Sequence, residues 1–335
     1  MSEIITLSHG SGGILTHRLI DSIFMKNFAN DIINAEDDSA RLDIASGRIA
    51  FTTDSFVVSP VFFKGGDIGK LAVCGTVNDL VAGGAVPLYL SCGFILEEGL
   101  EMRELERIAE SMAQTARECG VKIVAGDTKV VQKGAADKVY INTSGIGLIH
   151  KAANVSGAFA RPGDKVIVTG TIGDHGSAIF LEREKLSITT DLKSDCAPLN
   201  QMMERIFDNI ADLHALRDPT RGGLATALNE IAGQSDVGIV LKEPDIPVRD
   251  EVIGICELLG LDPLYMANEG KMVIIVPETS ANAVLDLLTA HEYGRDARII
   301  GEVVGTHKKK VVLKTVTGGH RVVDMLSGDI LPRIC

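Results

Sequence analysis

The strongest constraint on this chain is an alternation of strand-like and helix-like segments that runs its whole length and restarts once. "RIAFTTDSFVVSP" reads as a strand rich in β-branched and aromatic residues, and "GDIGKLAVCGTVNDLVAGGA" as a helix of small residues. "PLYLSCGFIL" is again strand-like. "MRELERIAESMAQTARECG" has apolar residues at helical spacing, with Gly120 placed to cap it. "VKIVAGD" and "KVYINTSGIGLI" complete a first unit, and the Pro-Gly turn of "ARPGDKVIVTGTIGD" opens a second. There, strands are expected at "KVIVTG", "VGIVLK", "KMVIIVP" and "ARIIGEVV", and helices at "RGGLATALNEIAGQ" and "SANAVLDLLTAH". This alternation predicts a mixed α/β fold in two domains, residues 1–152 and 153–326, leaving 327–335 as a tail that ends "ILPRIC".

Composition narrows the function. With 335 residues and 45% hydrophobic content the chain can bury two cores. A net charge of −12, few aromatics and no Trp exclude both a basic stripe and a base-stacking surface, so no nucleic acid is expected. The same acidity suits carboxylates gathered around Mg²⁺. No apolar run reaches the roughly 18 residues of a membrane span, and "MSEIITLSHG" lacks the basic-then-apolar order of a signal peptide. The six cysteines include no close pair, and all but Cys335 fall in segments that read as helix or strand. A cytoplasmic, reduced protein is expected.

Familiar signatures fail. "FKGGDIGKLA" resembles a P-loop, but Lys64 stands at the first glycine position and Leu71 where Ser or Thr belongs. "HGSGG" does not extend to a dinucleotide fingerprint, because Leu15 takes the last glycine place. What remains is a series of aspartates at strand ends and helix starts beside glycines: Asp38, Asp54, Asp79, Asp127, Asp174 and Asp218. One such Asp is commonly a cap. Six across both domains point to metal and phosphate handling.

The order "HGSGG", "DDSA", "TTDSF", "GTVNDLVAGGAVP", "GDTKVV", "DPTRGG", "NEGK" resembles the ATP-using superfamily of aminoimidazole ribonucleotide synthetase and selenophosphate synthetase, the PurM-like fold. "YLSCGFILEEG", "GDHGSAI", "CELLGLDPLYMANEGK" and the closing "PRIC" make it look specifically like the hydrogenase-maturation carbamoyl dehydratases of that superfamily, over essentially the whole chain. The resemblance implies an N-terminal domain that forms a β-barrel in a homodimer, with ATP bound in its cleft. It implies a C-terminal mixed sheet flanked by helices. The implied reaction is ATP-dependent dehydration of a carbamoyl group on Cys335 to a thiocyanate. HypF would supply the carbamoyl, and the cyanide would pass to iron on the HypC–HypD complex.

A thiocarbamate loses water only after its oxygen becomes a better leaving group, which phosphorylation by ATP provides. Cations must then neutralise the phosphoryl group, a base must take nitrogen protons, and the sulfur must reach the cleft. Under the resemblance, Asp38, Asp54, Asp79 and Asp218 are the candidate Mg²⁺ ligands. His9, Gly10, Gly12, Gly13, Asp54, Asn78, Gly126 and Asp127 are the candidate nucleotide-binding residues, and Lys129 the candidate cation at the γ-phosphate or substrate oxygen. Glu269 is the first candidate base, with Asp79 its competitor and His175 a weaker one; a turn pair with Lys271 is the alternative role for Glu269.

Seven peptide steps from Gly328 allow Cys335 a reach of about 25 Å, with Pro332 stiffening the arm. The terminal carboxylate is expected to raise the Cys335 pKa, and Arg333 to offset this in part. Whether the tail rests inside or outside the cleft stays open at this level. Two other functions fit the pattern less well: a sister activity such as selenophosphate synthesis or a small-molecule kinase, and a non-catalytic maturation scaffold. "LSHGSGGILTHR" lacks the Cys and Lys expected of the former, and a scaffold needs no phosphate-handling cleft.

Overall fold

The computed structural model describes residues 4–11, 13–35, 40, 42–184, 190–328 and 333–335; Gly12, Asp38 and Pro332 lie outside them. The N-terminal domain opens with α1 (Ile14–Leu19), continued by a π-helical turn Ile20–Met25 and a last turn Lys26–Phe28. Then come β1 (Ile49–Phe56), α2 (Ile68–Ala82), β2 (Ala85–Glu97), α3 (Met102–Cys119), β3 (Lys122–Val131) and β4 (Val139–Ile149). The sheet order is β1-β4-β2-β3, antiparallel except for the β2/β3 pair.

The helix of small residues starts where Asp67 accepts the backbone N–H groups of Gly69 (2.7 Å) and Lys70 (3.1 Å), a cap worth about 1 kcal/mol. Its glycines are spacing devices. A Cβ on Gly75 would meet the Phe56 ring at 2.8 Å, and one on Gly69 the Ile108 carbonyl at 2.5 Å, so α2 lies tight against both β1 and α3. Helix α3 buries Leu105, Ile108, Met112 and Ala116 on one stripe and ends on Gly120 at φ +72°. Along β1 the pleat sends Asp54 and Phe56 toward α2, while Ile49 and Phe51 stay exposed on the other face with Ile95 of β2.

The C-terminal domain contains β5 (Asp164–Val168), α4 (Asp174–Glu184), α5 (Asn200–Asn209), β6 (Ala215–Arg217), α6 (Gly223–Ser235), β7 (Gly238–Lys242) and α7 (Asp250–Leu259). It continues with β8 (Val273–Pro277), α8 (Glu278–Thr289), β9 (Arg298–Val304), β10 (Lys310–Lys314) and β11 (His320–Val323). Among the described residues its sheet runs β11-β10-β7-β9-β5-β8-β6, with β7/β10 the parallel pair. The central strands read as continuous apolar runs because both faces are covered. Val166, Val168 and Ile275 pack with α6, whereas Ile167, Ile274 and Val276 pack with α5 and α8.

One expectation is corrected here. Cys196 lies in the irregular segment before α5, not in a helix or strand. The position of the tail, open in the sequence, is inside: Ile334 and Cys335 are buried in an apolar cluster built mainly by the N-terminal domain and joined by Ile179, Cys196 and Ala267 of the C-terminal domain. Among the described residues no helix is long and apolar enough to cross a membrane.

Candidate active site at the domain interface

Three carboxylates from three elements converge between the domains. Asp54 projects from β1, Asp79 from α2, and Asp218 from the turn after β6. The Thr52 hydroxyl donates to Asp79 Oδ2 at 2.8 Å, Ser55 N–H donates to Asp54 Oδ1 at 2.8 Å, and the Thr220 hydroxyl donates to Asp218. Burial, then the neighbouring charge of Asp218, pushes Asp79 up to about 7 even against the Thr52 bond; Asp54 adds to the push. Asp54 is likewise raised, chiefly by burial. Among the described residues no three His, Cys, Asp or Glu side chains stand close enough to hold a metal ion by themselves.

Asn78, one residue before Asp79, is spent otherwise. Its amide donates to the carbonyls of Ala197 (3.0 Å) and Glu269 (3.1 Å), and its oxygen accepts Leu199 N–H (2.9 Å). The sequence pattern made it a phosphate or metal oxygen. In the fold it clasps the two domains and carries the backbone of the candidate base.

Glu269 is 4% exposed, and one of its oxygens, Oε1, is buried with no hydrogen-bond partner among the described residues. Burial drives its pKa well above the usual carboxylate range, reinforced by Cys196, Asp195, Asp218 and Asp54. The turn pair with Lys271 does not form: Lys271 Nζ lies 3.2 Å from Asp195, whose Oδ1 also accepts Glu269 N–H at 3.1 Å. Lys271 is thus spent on Asp195 and not on Glu269.

Cys335 sits in this cleft. Burial pushes its thiol up to about 12, Glu269 and Asp54 push the same way, and Arg221, hydrogen-bonded to the sulfur, partly offsets them. This corrects the expected cause: Arg333 is occupied with the Val57 carbonyl (2.9 Å) and Asp137 (2.6 Å). A cavity of about 530 Å³ opens beside the sulfur, lined by Ser55, Val57, Arg221, Gly222 and Tyr265. The last residues run alongside the end of β1, where Val57 N–H donates to the Cys335 carbonyl at 2.9 Å.

The other candidates line or border a second cavity of about 510 Å³ in the N-terminal domain. Gly10, Gly126, Asp127 and Lys129 line it together with the apolar Phe24 and Phe94. A Cβ on Gly10 would strike the Val130 backbone at 2.8 Å, so this close approach requires glycine. His9 is buried, with Nδ1 accepting Thr6 N–H at 3.0 Å, and Gly13 is the N-cap of α1. Lys129 Nζ donates to Asp127 Oδ1 at 2.6 Å, which holds Asp127 below the usual carboxylate range. Asp54, Thr143, Cys92 and Gly126 are register neighbours straight across β1-β4-β2-β3. The two clusters are thus three strand spacings apart, about 14 Å. Asp54, Asp79, Asp218, Glu269 and Cys335 come together; His9, Gly10, Asp127 and Lys129 form the separate group.

The family models for AIR synthase related proteins match both halves, the N-terminal domain at 36–149 and the C-terminal domain at 161–314. A carbamoyl dehydratase HypE of Rhodobacter capsulatus is 50% identical over 338 residues, covering 99% of this chain and 98% of that protein. The chain belongs to the HypE family of AIR synthase related proteins. A crystal structure of HypE in complex with ATP shares 51% identity with a TM-score of 0.95, covering 98% of this chain and 99% of that one. HypE in a HypE–HypF complex shares 50% identity with a TM-score of 0.81, over 92% of this chain and 99% of that one.

Site residues beyond the sequence reading are Arg221, Asp195 and Arg183, and Lys271 entered it only as a partner for Glu269. Arg221 stood in plain view within "DPTRGG", but nothing in that motif says that its guanidinium turns to the terminal sulfur. Arg183 carries no sequence signal.

Proposed function

We propose that this protein is an ATP-dependent carbamoyl dehydratase of [NiFe] hydrogenase maturation whose substrate is a thiocarbamate on its own Cys335. One observation carries the reading: Glu269, buried with an oxygen that has no hydrogen-bond partner among the described residues, is near enough to Cys335 for its charge to help keep the thiol protonated. The thiocarbamate oxygen attacks the γ-phosphorus and ADP leaves. Glu269 takes the first N–H proton, burial having made it a stronger base. The C–O bond then breaks and the phosphate departs with the second proton, leaving S–C≡N. The sum is R–S–C(O)NH₂ + ATP → R–S–C≡N + ADP + phosphate.

The apolar walls of the 510 Å³ cavity suit adenine, while Gly10, Gly126 and Lys129 suit phosphates. The donor set fits Mg²⁺: Asp54, Asp79 and Asp218 offer hard oxygens, and the charges of Asp218 and Asp54 add to burial in raising Asp79, a repulsion that a divalent cation would relieve. Asp54, Asp79 and Asp218, with Asp38, would hold it together with nucleotide oxygens, where it would neutralise the transferring phosphoryl group. Arg221 lines the cavity with Cys335 and favours the ionised sulfur. HypF is the carbamoyl donor and HypC–HypD the cyanide acceptor. The apolar outer face of Ile49, Phe51 and Ile95 suits pairing of two copies into a homodimer. Six unpaired cysteines suit a reducing cytoplasm.

The test is intact-mass spectrometry of protein incubated with HypF, carbamoyl phosphate and ATP. The C-terminal peptide gains a carbamoyl group and then loses one water. If Cys335→Ala gains and dehydrates the group equally well, the proposal fails.

A further inference from the structure

A thiol held near pKa 12 inside the protein is a poor nucleophile, yet the carbamoyl must reach it from another protein. The seat that serves dehydration therefore obstructs loading, so the grip on the tail matters to both steps. Besides the Arg333 side chain, which bonds Val57 and Asp137, that grip is on the main chain. The His175 ring, fully buried at the start of α4, stands 2.8 Å from the Ile334 carbonyl through Nε2 and 2.7 Å from the Ser194 hydroxyl through Nδ1. A carbonyl only accepts, so Nε2 carries the proton and the hydroxyl donates to Nδ1. Ser194 is itself fixed, its oxygen accepting Cys196 N–H (3.1 Å) and its N–H donating to the Lys64 carbonyl (2.9 Å). From the same helix Arg183 Nη2 donates to the Arg333 carbonyl at 2.7 Å, and Nε to the Ser59 carbonyl at 3.0 Å. One guanidinium thereby staples the tail to the chain just past β1.

We propose that His175 and Arg183 are positioning residues that latch the tail by the carbonyls of Ile334 and Arg333, and so set the balance between a seated, dehydrating state and a released, loading state. Because neither residue holds the sulfur, the latch grips the bare, carbamoylated and cyanated tail alike. Loading and dehydration then respond oppositely to its strength. The inference rests on the dehydratase reading.

Arg183→Gln, His175→Phe and His175→Gln are compared with the unaltered full-length protein in single-turnover mass spectrometry. Loading by HypF and dehydration of preloaded protein are timed separately, and alkylation of Cys335 by iodoacetamide is measured alongside. Each lost bond is expected to shift the balance about fivefold. Arg183→Gln and His175→Phe should load and alkylate faster and dehydrate slower, the two factors multiplying to about fivefold, and His175→Gln, which keeps a donor, should recover part of the dehydration rate. Arg183 is only half-buried, so its variant serves if His175→Phe fails to fold. Parallel loss of both steps, or no change in either, overturns the latch. If the unaltered protein loses no water at Cys335, it is the dehydratase reading that falls.

Discussion

The side-chain amide of Asn78 carries the main-chain carbonyl of Glu269 across the domain boundary at 3.1 Å, and with it the position of the carboxylate beside Cys335. Asn78 makes three such backbone bonds and is 3% exposed, so the clasp is dry and saturated.

Asn78→Ala is expected to lower stability by roughly 3 kcal/mol, about 1 for each lost bond, and to slow dehydration by displacing Glu269. Urea unfolding and single-turnover dehydration measure the two effects. Unchanged stability would show that the clasp contributes nothing.

Glu269→Gln should still accept the carbamoyl from HypF but dehydrate it about 10²–10⁴-fold more slowly, the usual loss on removing a general base. Folding should not suffer, because a neutral amide replaces a buried carboxylate that has an unbonded oxygen. Normal dehydration by a folded Glu269→Gln variant would move the base elsewhere, with Asp79 next in line.

With its thiol at about 12, seated Cys335 should react with iodoacetamide at pH 8 about a thousandfold more slowly than the cysteine of an unfolded peptide titrating near 8.5. Equal rates would mean that the tail spends its time outside the cleft.

Stability should fall as pH rises through neutrality. Unfolded Asp titrates near 3.9 and folded Asp79 at about 7, so between these values the folded chain holds the extra proton and gains stability as pH drops. The contribution is present at pH 5 and lost above about 8, worth on the order of 2–4 kcal/mol. Asp79→Asn should flatten this dependence in part, with Glu269 supplying the remainder in the same direction. Thermal melts of the nucleotide-free protein from pH 5 to 9 check it, and a slope of the opposite sign refutes it.

Local pattern was enough for most elements. The apolar stripe of α3 and its Gly120 cap were readable because helix period and capping act within a few residues. The central strands β5 and β8 were readable as short apolar runs beside turn residues. Asp54, Asp79, Asp218 and Glu269 were legible as candidates because each stands at a junction where a short carboxylate meets glycine or a strand end. Their separate duties were not: nothing local says that Asn78 spends its oxygen on Leu199, or that Lys271 pairs with Asp195 instead of Glu269. Those partners lie far away in sequence, and hydrogen bonds at that range depend on how the domains meet.

The order of strands and helices, the acidic junctions and the sulfur at residue 335 were written in the sequence, since propensity, capping and residue chemistry are short-range properties. Tertiary packing decided the rest: that Cys335 is enclosed, that burial and Glu269 hold its thiol protonated, and that Arg183 and His175 grip the backbone before it. The reason is dielectric as much as geometric. A carboxylate or thiol changes its acidity when water is removed around it, and only the folded contact between two domains removes that water.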